Sequence, residues 1–299
     1  MDFSRINHKL PIEKLKHPVA IARGIDLRVL RLDKTHPEIS GNKWFKLKYN
    51  LIEAKAQGIS TLLTFGGAYS NHIYAVAAAA KLFGFKSIGV IRGEAQHKLN
   101  PTLQYATESG MHLKYVDREA YRHKTNPEFI DKLRSEFGDF YLIPEGGTNS
   151  LAIKGAAEIA DSIDEAFDYY CLSVGTGGTI SGLINGLKNK GQVIGFSALK
   201  GSFLNDEVSA LLSEYSNDQF NNWAINNDYH FGGYAKVKPE LLDFIKKTEQ
   251  ELGLVLDPVY TGKMLYGVID MISQGQFEPG TKILTIHTGG LQGRAGFGL

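Results

Sequence analysis

The stretch TLLTFGGAYSNHIYAVAAAAKLFGFKSIGVI, residues 61–91, holds two short apolar runs, TLLTF (61–65) and KSIGVI (86–91). Between them lies an alanine-rich segment of helical composition, NHIYAVAAAAKLFG (71–84). A strand, a Gly-Gly turn, a helix and a second strand make a βαβ unit, in which the strands run parallel. The rhythm continues on the C-terminal side. NPTLQYATESG (100–110) predicts a helix, HLKYV (112–116) a strand, Asn126 to Phe137 a helix, and FYLI (140–143) a strand. The second half repeats it: a helix from Ala152, strand DYYCLSV (168–174), a helix from Thr179, and strand QVIGFSAL (192–199). Helices over Pro239–Leu252 and Lys263–Ser273 then precede a closing strand, KILTIH (282–287). This alternation predicts an α/β protein with parallel sheets covered by helices on both faces. Turn-forming residues at Gly41 and at Pro144-Glu145-Gly146-Gly147-Thr148 mark two breaks. They suggest a smaller α/β domain, 46–145, inserted in a larger one made of 1–45 and 146–299.

The composition narrows the function classes. The chain has 299 residues and a formal net charge of +1, so no electrostatic case exists for a nucleic-acid or membrane-surface partner. The first residues contain no apolar stretch of signal-peptide type, and no run approaches the roughly 20 apolar residues of a membrane span. A single cysteine, Cys171, forbids an internal disulfide and fits a reducing cytoplasm. The histidines are scattered, with no HExxH, CxxC or carboxylate cluster, so no metal site is expected. GGAYSNH lacks the second glycine of a G-x-S-x-G elbow, which argues against a serine hydrolase.

Glycine knots carry the remaining signal. GTGGTISG (175–182) follows a strand and opens a helix, where converging amides and the helix N-terminus favour a phosphate. It is neither a Walker A motif nor a clean G-x-G-x-x-G. Four glycines in eight residues favour the phosphate over a plain packing turn. FGGAYSNH (65–72) has the same architecture; Ser70 and Asn71 serve there either as simple helix caps or as a second, carboxylate-sized anion site. His287 in HTGGLQG (287–293) reads equally as a core or a catalytic residue, and Tyr260 in DPVYTGK (257–263), taken alone, as packing. Lys43 stands directly after Gly41-Asn42, ahead of a helical run that also carries Lys46 and Lys48. A phosphate cradle, a carboxylate site and a lysine at a turn together suggest pyridoxal phosphate.

SGNKWFKLKYN (40–50) resembles the lysine segment of the 1-aminocyclopropane-1-carboxylate deaminase and D-cysteine desulfhydrase family. GGAYSNH, IPEGGTNSLAIKG, GTGGT, GGYA (232–235), DPVYTGK and HTGG are similar to further motifs of that family, in family order. The resemblance runs from about residue 28 to 293. It implies a tryptophan synthase β-like fold of type II: two open, mostly parallel sheets flanked by helices, with pyridoxal 5'-phosphate between two domains. It also implies a cytoplasmic homodimer acting on a small amino acid. By the same resemblance Lys43 is the Schiff-base lysine and Asn71 the partner of the ring hydroxyl. Gly175, Thr176, Gly177, Gly178 and Thr179 hold the phosphate. Ser70 binds the substrate carboxylate or relays a proton, with Asn71 and His72 beside it. Tyr260 lies against the cofactor and Tyr234 close by. Lys46 and Lys48 are expected to be ordinary charges.

Two positions separate the branches. Ring-opening deaminases of the family carry glutamate and leucine where this chain has Thr261 and Thr288. A carboxylate beside the pyridine nitrogen keeps it protonated and strengthens the electron sink, whereas a hydroxyl brings no charge. Thr288 is then the candidate partner of the ring nitrogen, and elimination of a good β-leaving group the expected reaction. Lys43, neutral in a partly desolvated site, takes the α-proton, and a 2-oxo acid and ammonia are released. From D-cysteine the products are pyruvate, sulfide and ammonia. Trp44-Phe45 and Tyr69 depart from the family pattern, so the substrate pocket is reshaped. The alternatives are ring opening of the cyclopropane acid, a pyridoxal phosphate-holding protein without turnover, and a nucleotide-binding α/β protein.

Overall fold

The computed structural model describes residues 1–95 and 97–299. Its first strands are β1 (Ile12–Lys14), β2 (Asp26–Arg31), β3 (Thr61–Gly66), β4 (Lys86–Arg92), β5 (Met111–Val116) and β6 (Tyr141–Ile143). They are followed by β7 (Tyr169–Val174), β8 (Gln192–Ser197), β9 (Trp223–Asn226) and β10 (Lys282–His287). The helices begin with α1 (Pro18–Ala22), α2 (Asn42–Ala56), α3 (Asn71–Phe83), α4 (Pro101–Glu108), α5 (Arg118–Arg122) and α6 (Pro127–Phe137). They continue with α7 (Ser150–Ala157), α8 (Gly178–Leu187), α9 (Leu204–Tyr215), α10 (Pro239–Leu252) and α11 (Thr261–Ser273).

Two open sheets result, one of six strands in the order β1-β2-β10-β7-β8-β9 and one of four in the order β5-β4-β3-β6. Every pairing is parallel except β1 with β2. The central strands are buried almost end to end; β3, β7 and β10 each lose only their first residue to partial or full exposure. That continuous burial is what strands covered on both faces require. It is also why apolar runs, and not alternating ones, announced them in the sequence.

Elements at the two ends of the larger sheet escaped the sequence reading for physical reasons. Strand β2, DLRVLR, interleaves charges with its apolar residues. Its arginines are neutralised in the fold: Arg28 pairs with Asp26 and Glu165, and Arg31 with Glu13 and Asp33. Strand β1 is only three residues long, and β9 four. Helix α9 did leave a trace, since its buried Leu204, Val208 and Leu212 recur every four residues.

The two sheets share one large apolar cluster, in which Trp44, Leu47 and Leu51 of α2 meet Val76 and Ala80 of α3, Ile180 and Leu183 of α8, and Leu284 and Ile286 of β10. Helix α2 therefore ties both sheets together, and its first turn carries Lys43.

Candidate active site

The C-terminal ends of parallel strands are where α/β sheets leave room for ligands. Here the turns after β3, β7 and β10, with the start of α2, enclose a cavity of about 730 Å³. Lys43, Ser70, Asn71, His72, Gly175, Thr176, Gly177, Thr179, Tyr234, Tyr260 and Thr288 all line it. Gly178 lies against Thr148 and Lys46 in the same turn. Residues up to 255 positions apart in sequence, Asn42 and Phe297, thus face one space.

Gly41 makes the start of α2 possible. Its φ is +70°, and a Cβ there would sit 1.9 Å from the carbonyl oxygen of Thr288. The Asn42 amide donates to that same carbonyl at 3.0 Å, and the Gly41 amide to Leu32 O. Only a residue without a side chain lets the two backbones approach so closely in this conformation. The helix consequently begins on the end of β10, and Lys43 projects into the cavity. Burial pulls the Lys43 ammonium down from 10.5 to about 8, against the opposing charge of Asp257. Its Nζ donates to Asn42 Oδ1 at 3.1 Å, and Asn42 Nδ2 in turn donates to Thr179 Oγ1 at 2.8 Å. Asn42, which the sequence reading did not single out, links the lysine to the glycine knot.

That knot, Gly175 to Thr179, ends β7 and opens α8, whose cap residue Gly177 has φ +77°. Lys46 is the correction to the sequence reading. It is 2% exposed, not a solvated charge, and its Nζ donates to Thr148 Oγ1 at 2.8 Å and Thr176 Oγ1 at 3.3 Å. The two threonine hydroxyls are themselves 2.6 Å apart. Burial, reinforced by the Lys43 charge, pushes the Lys46 ammonium well below its usual range. No carboxylate pairs with it among the described residues. A buried cation with neutral partners beside a glycine turn is a site prepared for an anion. Helical spacing held the signal, because i and i+3 put Lys43 and Lys46 on one face of α2. Lys48 does point outward and pairs with Glu158.

The turn after β3 keeps both of its readings. Ser70 Oγ accepts from the amides of His72 and Ile73, which makes it the cap of α3. Asn71 Nδ2 donates to Gly290 O at 2.9 Å, whereas its buried Oδ1 has no partner. Gly290 must be glycine for this contact, since a Cβ would lie 2.3 Å from Asn71 Nδ2. The His72 ring is buried and bonded through Nε2 to Thr64 Oγ1 at 2.8 Å. Burial and the charges of Lys43 and Lys46 hold its pKa well below the ordinary value.

On the opposite wall, Thr288 Oγ1 and Ser173 Oγ are 3.2 Å apart, a pair that sequence alone could not bring together. Tyr260 packs on the glycine knot and meets the Tyr234 ring edge-on at 6.2 Å. Thr261 is fully buried, and its hydroxyl donates to Asp257 Oδ1 at 2.8 Å. Asp257 also accepts from the amides of Val259, Tyr260 and Thr261, so this carboxylate caps α11. His287 belongs to the core: it is 1% exposed, and Nε2 meets Val255 O while Nδ1 accepts from Gly289 N. No cluster of His, Cys, Asp and Glu suited to a metal occurs among the described residues.

The lining fits pyridoxal phosphate. A lysine of lowered pKa, an orphaned amide oxygen and an unneutralised ammonium at a glycine turn converge on one cavity. They offer groups for an aldehyde, a ring hydroxyl and a phosphate respectively. Residues 11–289 match the family described as "Pyridoxal-phosphate dependent enzyme", and the chain belongs to it. The type II fold and the pyridoxal phosphate requirement follow from that membership.

Among its relatives, the Arabidopsis thaliana protein named "Bifunctional D-cysteine desulfhydrase/1-aminocyclopropane-1-carboxylate deaminase, mitochondrial" is 33% identical, over 97% of this chain and 78% of that protein. The D-cysteine desulfhydrase of Serratia proteamaculans is 29% identical, over 94% and 91% respectively. A solved structure, described as an ACC deaminase homologue, superposes with a TM-score of 0.86 at 30% identity, covering 99% of this chain and 93% of that one.

Proposed function

We propose that this protein is a lyase that removes the β-substituent of a small amino acid, releasing a 2-oxo acid and ammonia, and sulfide when the substrate is D-cysteine. The observation that carries the reading is the convergence of Lys43, Asn71 and the Gly175–Thr179 turn on one cavity, with threonines at 261 and 288. Named D-cysteine desulfhydrases among the relatives support it.

When bound, pyridoxal phosphate supplies an aldehyde for amine capture and a ring that accepts electron density from the α-carbon. Lys46, Thr176 and the amides opening α8 would hold its phosphate, Asn71 Oδ1 its ring hydroxyl, and Thr288 its ring nitrogen. Thr288 and Ser173 bring no charge, so the nitrogen is left without a carboxylate partner. Asp257, a carboxylate lining the same cavity, is occupied by the α11 amides and the Thr261 hydroxyl. A weak sink of this kind suits expulsion of a thiolate better than opening of a carbon ring.

The Ser70 hydroxyl accepts from two amides and keeps its proton free to donate to a substrate carboxylate. Lys43, its ammonium lowered to about 8 by burial, is neutral in about half of the molecules at pH 8, and that neutral amine serves as the base for the α-proton. Tyr260 is half-buried; burial and the neighbouring Tyr234 raise its phenol well above the ordinary value, so it keeps its proton and acts as a donor toward the departing group.

The same proposal takes residues 1–45 and 146–299 as the larger domain and 46–145 as the smaller, and a cytoplasmic homodimer as the working form. Light scattering at twice the monomer mass would support the dimer. Among the described residues no helix is long and apolar enough to cross a membrane.

The test measures sulfide and 2-oxo acid released from D-cysteine, L-cysteine and 1-aminocyclopropane-1-carboxylate side by side. Sulfide from D-cysteine at a higher kcat/KM than any other product is expected. Release of 2-oxobutanoate from the cyclopropane acid as the dominant activity would overturn it. Lys43→Ala should abolish both the turnover and the visible absorbance band of lysine-bound cofactor.

A further inference from the structure

Lys263 is a cation in an unfavourable place. It lies in the first turn of α11, where the helix dipole repels positive charge, and it is 1% exposed. Among the described residues no carboxylate bonds it. Its Nζ instead donates to two main-chain carbonyls, His230 O and Gly233 O, each at 2.8 Å. Both carbonyls already accept a backbone bond, from Gly233 N and Lys236 N respectively.

The segment so gripped is strained. Phe231, Gly232, Gly233 and Ala235 all have positive φ, of +53°, +99°, +113° and +53°. Two of these are not glycine, and such conformations persist only where the surroundings over-determine them. The one residue of 231–235 outside that region is Tyr234, which turns into the catalytic cavity beside Ala235 and faces Tyr260. Lys263 itself does not reach the cavity lining.

We propose that Lys263 is a positioning residue: its buried ammonium clamps the left-handed 230–235 turn and thereby holds Tyr234 at the substrate end of the cavity. Burial accounts for retaining a charge here, since a donor must satisfy two carbonyls at once and a neutral apolar side chain cannot. The lowering of its pKa to about 8 by burial, opposed by Asp257, agrees with a cation held for its hydrogen bonds alone.

The turnover arm of the test rests on the proposed lyase reading; the exchange arm does not. In the holoenzyme, Lys263→Met should speed hydrogen exchange at the amides of Gly233 and Lys236 at least about tenfold, while the visible cofactor band is retained. With D-cysteine it should raise KM about tenfold and change kcat less than threefold. The double variant Lys263→Met/Tyr234→Ala should be no worse than Tyr234→Ala alone, because both act through one ring. Lys263→Arg, which keeps charge and donors, should restore protection. If Lys263→Met does not fold, the same comparison is made with Lys263→Gln, whose neutral amide should still accelerate exchange.

Unchanged exchange in either variant, or KM effects that multiply in the double variant, would overturn the clamp. Absence of turnover by wild-type protein on every amino acid tried would count against the lyase reading and leave the exchange result to judge the clamp.

Discussion

Lys43 and Lys46 show how the same residue type acquires two roles three positions apart. Lys43 is half-buried in an open cavity and titrates near 8 through partial desolvation, whereas Lys46 is enclosed by threonine hydroxyls at the glycine turn. The sign of the first effect is definite. A lysine lowered from 10.5 to about 8 is mostly protonated below pH 8, and only the neutral amine attacks an aldehyde. The rate at which apoprotein captures pyridoxal phosphate should therefore level off above pH 9 and fall about tenfold per unit below pH 7, as followed by stopped-flow absorbance. For Lys46, a charge-assisted hydrogen bond contributes about 1.5–3 kcal/mol, so Lys46→Met should weaken cofactor binding about tenfold to a hundredfold by equilibrium titration. Lys48→Met, remote from the cavity and ion-paired at the surface, should leave it within about twofold.

At the scale of elements, the site is made by backbone junctions. The start of α2, the end of β10 and the cap of α3 meet through Gly41, Thr288, Gly289, Gly290 and Asn71, each at hydrogen-bond or van der Waals contact. Gly41→Ala would drive a methyl group into Thr288 O while forcing a left-handed alanine. A loss of about 2–4 kcal/mol of stability is expected from strain and overpacking together, read from the urea midpoint. Relief of that clash requires the start of α2 to move away from β10, so Lys43→Ala in the same background should add little further loss of cofactor binding.

For the whole molecule, the groups proposed to hold the cofactor come from elements of both sheets, so on that proposal cofactor binding bridges them. Reconstitution at pyridoxal phosphate concentrations 100 times Kd should stabilise the fold by about 2.7 kcal/mol, visible as a higher Tm. Lys43→Ala and Lys46→Met should each shrink that increment. Cys171, fully buried in strand β7, has its thiol pushed above the ordinary range by burial, and it should resist alkylation until the protein unfolds.

Much of this was legible in the sequence, and the missing parts follow a pattern. The largely apolar strands β3, β4, β7 and β10 betray parallel sheets because burial on both faces leaves few polar positions. The glycine knots betray turns because few other residues accept positive φ there. Strand β2 hid behind arginines whose partners come from as far away as Glu165. Asn42, Lys46, Ser173 and Lys263 hid for the same reason: each owes its role to a neighbour at least 30 positions off, Thr179, Thr148, Thr288 and Gly233. Periodicity and turn chemistry are local, so the residues alone determined the fold class and set Lys43 just after the Gly41-Asn42 turn. Which charges are buried, and what satisfies them there, was decided only when distant backbones closed on one another and excluded water.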